Sequence, residues 1–330
     1  MTIKLAFYML LSALLALGAT ASPAYYEDRS FIRDSEATSS IASNTSTSNS
    51  LPGLPSGCMI SSKNIAWGWL PDDENSAVSI SSLNSATGKK ACFFGDYSKI
   101  NDASYDGSDI TYKAADAEGA IMVPSIMPVG VTWDQVTTTL AKQIGTVVEA
   151  FTKGGLVVYL RFAHEMNCYA KPGCATPAYP GGEDYAGFKK AWINVANVCK
   201  GITGCYMMWS PNLQDVSSLS NWWPGADYVD IVAVDHYPSS DSDVSAGFSS
   251  AYDDFYNTAV KPYGKPFMLG ETAYGGSTKD DWVKAVTDSD FSSYPLYQGA
   301  MWFEYNKESN FYVVYDQSQS AIETFDSYFS

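Results

Sequence analysis

From residue 64 onward, short apolar runs recur along the chain, separated by longer polar or amphipathic stretches. The runs are NIAWGWL (64–70), KACFFGDY (90–97), GAIMVPSIMP (119–128) and GLVVYLRFAHEMN (155–167). CYMMWSPN (205–212), YVDIVAVDHYP (228–238), PFMLGETAY (266–274) and LYQGAMWFEYN (296–306) complete the set. Between them, 132–154 and 183–201 carry apolar residues at helical spacing, the first opened by Thr132 as an N-cap and stopped by glycine. Stretches 245–264 and 278–289 do so more loosely. Strands that are apolar on both faces and alternate with helices predict a parallel sheet covered by helices. Eight such units predict an α/β fold, a (β/α)8 TIM barrel forming a single domain over 56–330. A doubly wound open sheet is the competing architecture. It places a Gly-rich phosphate loop after its first strand, and WGWLPDDEN is not one.

Several runs begin apolar and end polar. GGLVVY continues into LRFAHEMN, so Arg161, His164, Glu165 and Asn167 crowd one strand end. Ser210 and Asn212 follow the fifth run, Asp235, His236 and Tyr237 the sixth, Glu271 and Thr272 the seventh, and Glu304 the eighth. Any one of these alone reads as an ordinary loop residue, and Glu165 alone as the ion-pair partner of Arg161. Together they occupy the C-terminal rim, where barrels of this type carry their chemistry. Glu165 and Glu271 lie at strands 4 and 7, across the mouth from each other. Two facing carboxylates suit glycoside hydrolysis, one protonated to donate and one ionised to attack.

The preceding segments have other signatures. Residues 1–21 pair Lys4 with the apolar stretch LAFYMLLSALLALGA and an A-x-A site ending at Ala21, the pattern of a signal peptide. This predicts a secreted, extracellular protein with no membrane span. Residues 22–55 are rich in Ser, Thr and Asn and predict a disordered tail or propeptide. Within it, Asn44-Thr45-Ser46 is a glycosylation sequon. Six cysteines suit an oxidising compartment. Their spacing pairs Cys168 with Cys174 and Cys199 with Cys205, leaving Cys58 for Cys92.

Composition narrows the partners. A net charge of −16 excludes a phosphate-backbone ligand, so no nucleic acid is expected. Aromatic residues make up 14% of the chain, suited both to a packed core and to stacking on flat ligands. The two histidines, His164 and His236, are far apart in sequence, and His236 with Asp235 makes only two ligands. No metal or other cofactor is expected, and the protein is expected to act as a monomer.

RFAHEMN, MMWSPN, YVDIVAVDHY, PFMLGET and MWFEYNKE, in that order, resemble the signature stretches of glycoside hydrolase family 26, of the clan A glycosidases. The resemblance implies a (β/α)8 barrel and a retaining mechanism on β-linked polysaccharides, most often β-1,4-mannan. It implies Glu165 as acid/base and Glu271 as nucleophile, with Arg161, His164, Tyr237 and Trp302 around them; Trp209 and Asn212 are further candidate substrate-binding residues. Tyr237 would contact the nucleophile, and Trp302 would form an aromatic floor under the cleaved sugar. Trp67, Trp69, Trp222 and Trp223 are further candidate platforms, with core packing as their other reading. Mannanases of the family carry RP before the His-Glu pair and a Trp-rich run after HEMN. Here Phe162 stands for the proline, and Cys168 and Tyr169 begin a cysteine-bounded loop instead. That departure leaves β-1,3-xylan and mixed-linkage β-glucan open as substrates. A non-catalytic carbohydrate-binding barrel and a cell-wall structural protein are the readings from other classes.

Overall fold

The computed structural model describes residues 49–72 and 77–329. The signal segment, the sequon and most of the 22–55 tail lie outside them. Eight parallel strands close into a barrel in sequential order. They are β1 (Ala66–Pro71), β2 (Phe93–Lys99), β3 (Ile121–Met127), β4 (Val158–Phe162), β5 (Cys205–Trp209), β6 (Ile231–His236), β7 (Phe267–Thr272) and β8 (Tyr297–Glu304). The last pairs with the first along its length, from Ala66↔Gly299 to Pro71↔Glu304. The predicted (β/α)8 barrel is the observed fold.

The helices are α1 (Ile80–Thr87), α2 (Thr138–Lys153), α3 (Met166–Tyr169), α4 (Tyr185–Cys199), α5 (Leu219–Trp222), α6 (Asp241–Phe255), α7 (Lys279–Thr287) and α8 (Gln319–Asp326). Several covering elements differ from expectation. Thr132 caps only a single 3₁₀ turn, Trp133–Gln135; α2 starts later, with the Thr137 hydroxyl accepting from the Leu140 N–H. α1, not anticipated, opens on a reciprocal Ser79–Ser82 capping box and closes on Gly88 in the left-handed conformation. It is too short for its periodicity to stand out. Between β2 and β3 the covering element is a one-turn 3₁₀ helix, Thr111–Ala115, instead of an α-helix.

All three expected disulfides are present: Cys58–Cys92, Cys168–Cys174 and Cys199–Cys205. The tail boundary at residue 55 moves. Leu51 is buried and its N–H donates to Gln298 Oε1 (2.9 Å), while the Tyr159 hydroxyl donates to Pro52 O (2.7 Å). The end of the Ser/Thr-rich stretch therefore packs on the barrel. Among the described residues no helix is long and apolar enough to cross a membrane.

Candidate active site

The polar end of β4 is built by two residues in the left-handed region. Ala163 (φ 50°) and Glu165 (φ 51°) flank His164, so the chain turns sharply twice within three residues. Each such turn costs on the order of 1 kcal/mol for a residue with a Cβ, and persists because its surroundings hold it. Ala163 N–H donates to Ile126 O (2.9 Å) in β3, and Glu165 N–H to Ser210 O (2.7 Å) after β5. Neighbouring strands thus fix the turn that aims Glu165 into the cleft.

Asn212 Nδ2 donates to Glu165 Oε1 at 2.7 Å. Asn212 is itself held by Asn167, whose Oδ1 accepts from the Asn212 N–H (2.9 Å) and whose Nδ2 donates to Asn212 O (2.9 Å) and Gln214 O (3.0 Å). Burial and the nearby Glu271 charge push the Glu165 carboxyl up to about 7, against the Asn212 hydrogen bond.

Glu271, near the end of β7, is buried. Its Oε1 accepts from Arg161 Nη1 (2.9 Å) and its Oε2 from the Tyr237 hydroxyl (2.7 Å). Burial alone would raise its pKa. The Arg161 guanidinium, with the Tyr237 hydrogen bond, outweighs it and holds the carboxyl below its ordinary range. The structure therefore moves two glutamates in opposite directions by bonding only one of them directly to Arg161.

Arg161 is fully buried beneath this pair. Nη1 also donates to Ser125 Oγ (2.8 Å), while Nη2 donates to Asp235 Oδ2 (2.6 Å) and Ser210 Oγ (3.2 Å). Its ion pairs run to Glu271 and Asp235, not to Glu165 as strand parity alone suggested. Glu165, Asp235 and Glu271 bring carboxylate oxygens within 4.8 Å of one another. Arg161 takes one oxygen from each of the last two.

His164 is buried, and burial with the Arg161 charge pushes its pKa down to about 3. It is therefore neutral at ordinary pH. Its Nε2 lies 3.8 Å from Glu271 Oε1, and Nδ1 has no partner among the described residues. The rings of Tyr97 and Tyr169 lie 5.4 and 5.5 Å from the imidazole on its flanks.

These groups open on a cleft of about 1170 Å³ at the C-terminal rim. His164, Glu165, Asn212, Tyr237 and Glu271 line it. Two expected substrate contacts do not. Trp302 is fully buried, its Nε1 donates to Phe311 O, and its ring stacks on Trp67 beneath α8. Trp209 is also fully buried, against Trp223. Both stand on the strand faces turned away from the cleft. The aromatic residues of β8 and its extension that reach the cleft are Phe303 and Tyr305, stacked at 4.0 Å. Trp67, Trp69 and Trp222 are core residues, and Trp223 stacks on Tyr263. His236 turns outward to Tyr252 and Trp282, away from Asp235's partner Arg161. Glu304 faces the backbone of 313–315.

The sequence reading passed over Tyr97, Ser125, Asp235 as a partner of Arg161, and Asn167 as the brace of Asn212. A lone serine inside GAIMVPSIMP was the one visible sign of Ser125, since a hydroxyl in an otherwise apolar buried strand requires a partner.

A closed parallel barrel with carboxylates gathered at the C-terminal ends of β4 and β7 is the architecture of a barrel hydrolase. The chain belongs to glycosyl hydrolase family 26, which matches residues 129–308, a span containing both glutamates. Similar solved structures include a GH26 β-mannanase from Bacteroides ovatus, 17% identical with a TM-score of 0.56, covering 81% of this chain and 88% of that one. The GH26 domain of an endo-β-mannanase/endo-β-glucanase from Prevotella bryantii is 16% identical with a TM-score of 0.54, covering 80% and 89%. A modular endo-β-1,4-mannanase from Cellulomonas fimi is 17% identical with a TM-score of 0.56, covering 81% and 71%. At these identities the likeness establishes the fold. No protein of curated function matches the sequence.

Proposed function

We propose that the protein is a secreted retaining glycoside hydrolase that cleaves a β-linked polysaccharide, β-1,4-mannan, by double displacement. One observation carries the reading: two glutamates with carboxylate oxygens within 4.8 Å, one raised to about 7 and the other lowered. Retaining enzymes hold their carboxyl groups ~5–5.5 Å apart, inverting ones roughly 6.5–9.5 Å. In the first step a Glu271 oxygen attacks the anomeric carbon while protonated Glu165 gives its proton to the departing glycosidic oxygen. A glycosyl ester on Glu271 and a free alcohol result. In the second step ionised Glu165 takes a proton from water, whose oxygen attacks the same carbon and releases Glu271. As the Glu271 oxygen loses charge, Tyr237 and Arg161 remain to hold the carboxyl in line. Neutral His164 stands beside Glu271 through its Nε2 without repelling the oxocarbenium-like transition state. Three disulfides support secretion, because such bonds persist in oxidising compartments.

The mannanase neighbours support mannan as the substrate. The Cys168–Cys174 loop, whose two cysteines line the cleft with Thr176 and Pro177 just beyond, makes β-1,3-xylan and mixed-linkage β-glucan necessary controls. Reducing-sugar release from a panel of these glycans is the test. Release from mannan above the others is expected. Binding without release from any glycan overturns the hydrolase reading in favour of a carbohydrate-binding barrel.

A further inference from the structure

Glu304 is a fully buried carboxylate beside the cleft that the chemistry above does not use. It ends β8 and accepts three consecutive backbone N–H groups: Val313 on Oε2 (2.9 Å), Val314 (2.9 Å) and Tyr315 (2.7 Å) on Oε1. Burial pushes the Glu304 carboxyl up to about 7, and the three N–H bonds, strongest to the ionised form, oppose that rise. Lys279, the first residue of α7, holds the same segment by its carbonyls. Its Nζ donates to Asn310 O (2.9 Å) and Tyr312 O (2.7 Å). A carboxyl thus gathers the segment's amides and a cation its carbonyls, and the two attract each other once Glu304 is ionised.

The clamped segment forms one wall of the cleft through Asn306, Lys307, Phe311 and Tyr312. It also reaches the reacting groups. The rings of Phe311 and Phe303 lie 5.8 and 5.7 Å from that of Tyr237, and Tyr237 donates to Glu271 Oε2. We propose that Glu304 and Lys279 are positioning residues: together they clamp the β8–α8 connection so that Phe311 backs Tyr237 against Glu271 and the cleft wall keeps its shape. This rests on the role proposed for Glu271.

Hydrogen exchange and steady-state kinetics on Glu304→Gln, Lys279→Met and Lys279→Arg test it. In the first two, amides of 306–315 are expected to exchange about tenfold faster while unfolding stays cooperative. Their kcat/KM on the cleaved glycan should fall about tenfold. The acid limb of its pH profile should move to higher pH, because a loosened Tyr237 lowers the Glu271 pKa less. Lys279→Arg, which keeps the charge and the donors, should restore both. Unchanged exchange in both variants overturns the clamp. So does a lower melting temperature with unaltered kinetic constants and acid limb, the mark of a merely structural role. If Glu304→Gln does not fold, Lys279→Met decides alone, since its half-exposed site tolerates change. A wild-type protein that cleaves no glycan would refute the hydrolase reading instead, and the exchange comparison still judges the clamp.

Discussion

Glu165 and Glu271 are the same side chain in two electrostatic settings. Arg161 bonds one of them and not the other, and that difference separates their proposed roles. Activity requires Glu271 ionised and Glu165 protonated. As pH rises through about 7, Glu165 loses its proton and kcat/KM should fall; on the acid side it should persist below the ordinary carboxylate range, until Glu271 is protonated. A profile flat from pH 4 to 9 would contradict the pairing. The roles also separate by mutation. Glu271→Ala should lower kcat on the order of 10⁴-fold or more, with no glycosyl-enzyme formed. Glu165→Ala should still be glycosylated by a substrate with an activated aryl leaving group. Azide, which needs no base, should then restore turnover and give a β-glycosyl azide. Product analysis showing this rescue in Glu271→Ala instead would reverse the assignment.

At the scale of the element, strand ends are braced by their neighbours. Asn167 in α3 fixes Asn212 after β5, and Asn212 holds Glu165. Asn167→Ala should lower kcat/KM by between about ten- and a hundredfold, as expected for a misplaced catalytic group. The Asn212 hydrogen bond lowers the Glu165 pKa, so the alkaline limb should move to higher pH, and a pH–rate series will show it. Gly270 plays a related part in β7. A Cβ there would lie 2.4 Å from Asp235 Oδ1 and 2.5 Å from Ser210 Oγ, the groups that hold Arg161. Gly270→Ala should cost ~1–3 kcal/mol in denaturant unfolding. It should also depress kcat in the fraction that remains folded, because Arg161 loses its seat.

At the scale of the whole molecule, the barrel's two ends do different work. The C-terminal rim carries the cleft. On the other side, Leu51 approaches Gly299 and Phe93 and is buried with them. Deleting residues 22–48 should leave the melting temperature and activity unchanged, whereas deletion through 55 removes Leu51 and the Pro52 carbonyl that Tyr159 bonds. Full burial of a leucine is worth roughly 1.5–3 kcal/mol. The longer truncation should therefore melt several degrees lower in a thermal scan, with kinetic constants close to those of the full chain. Equal melting temperatures for the two would show that the segment contributes nothing to the barrel.

The barrel, the disulfide pairs and the placement of two glutamates at strand ends are legible in the sequence. Each is written in local terms: apolar runs of strand length, helices between them, cysteines six residues apart, and carboxylates placed where an apolar run ends. Tertiary structure alone decided which face each side chain of a strand presents. A strand of a parallel barrel is apolar on both sides, against the core within and the helices without, so its period-two pattern carries no sign. That is why Trp209 and Trp302 read as sugar platforms and proved to be packing beneath helices, while Phe303 and Tyr305 lie in the cleft. The partners of Arg161 were hidden for a second reason. Ser125, Asp235 and Glu271 come from three different strands and Ser210 follows a fourth, and only closure of the barrel brings them to one guanidinium. Leu51 was hidden for a third: one leucine in a polar stretch has no periodic neighbours, and its burial depends on a groove that the folded barrel supplies.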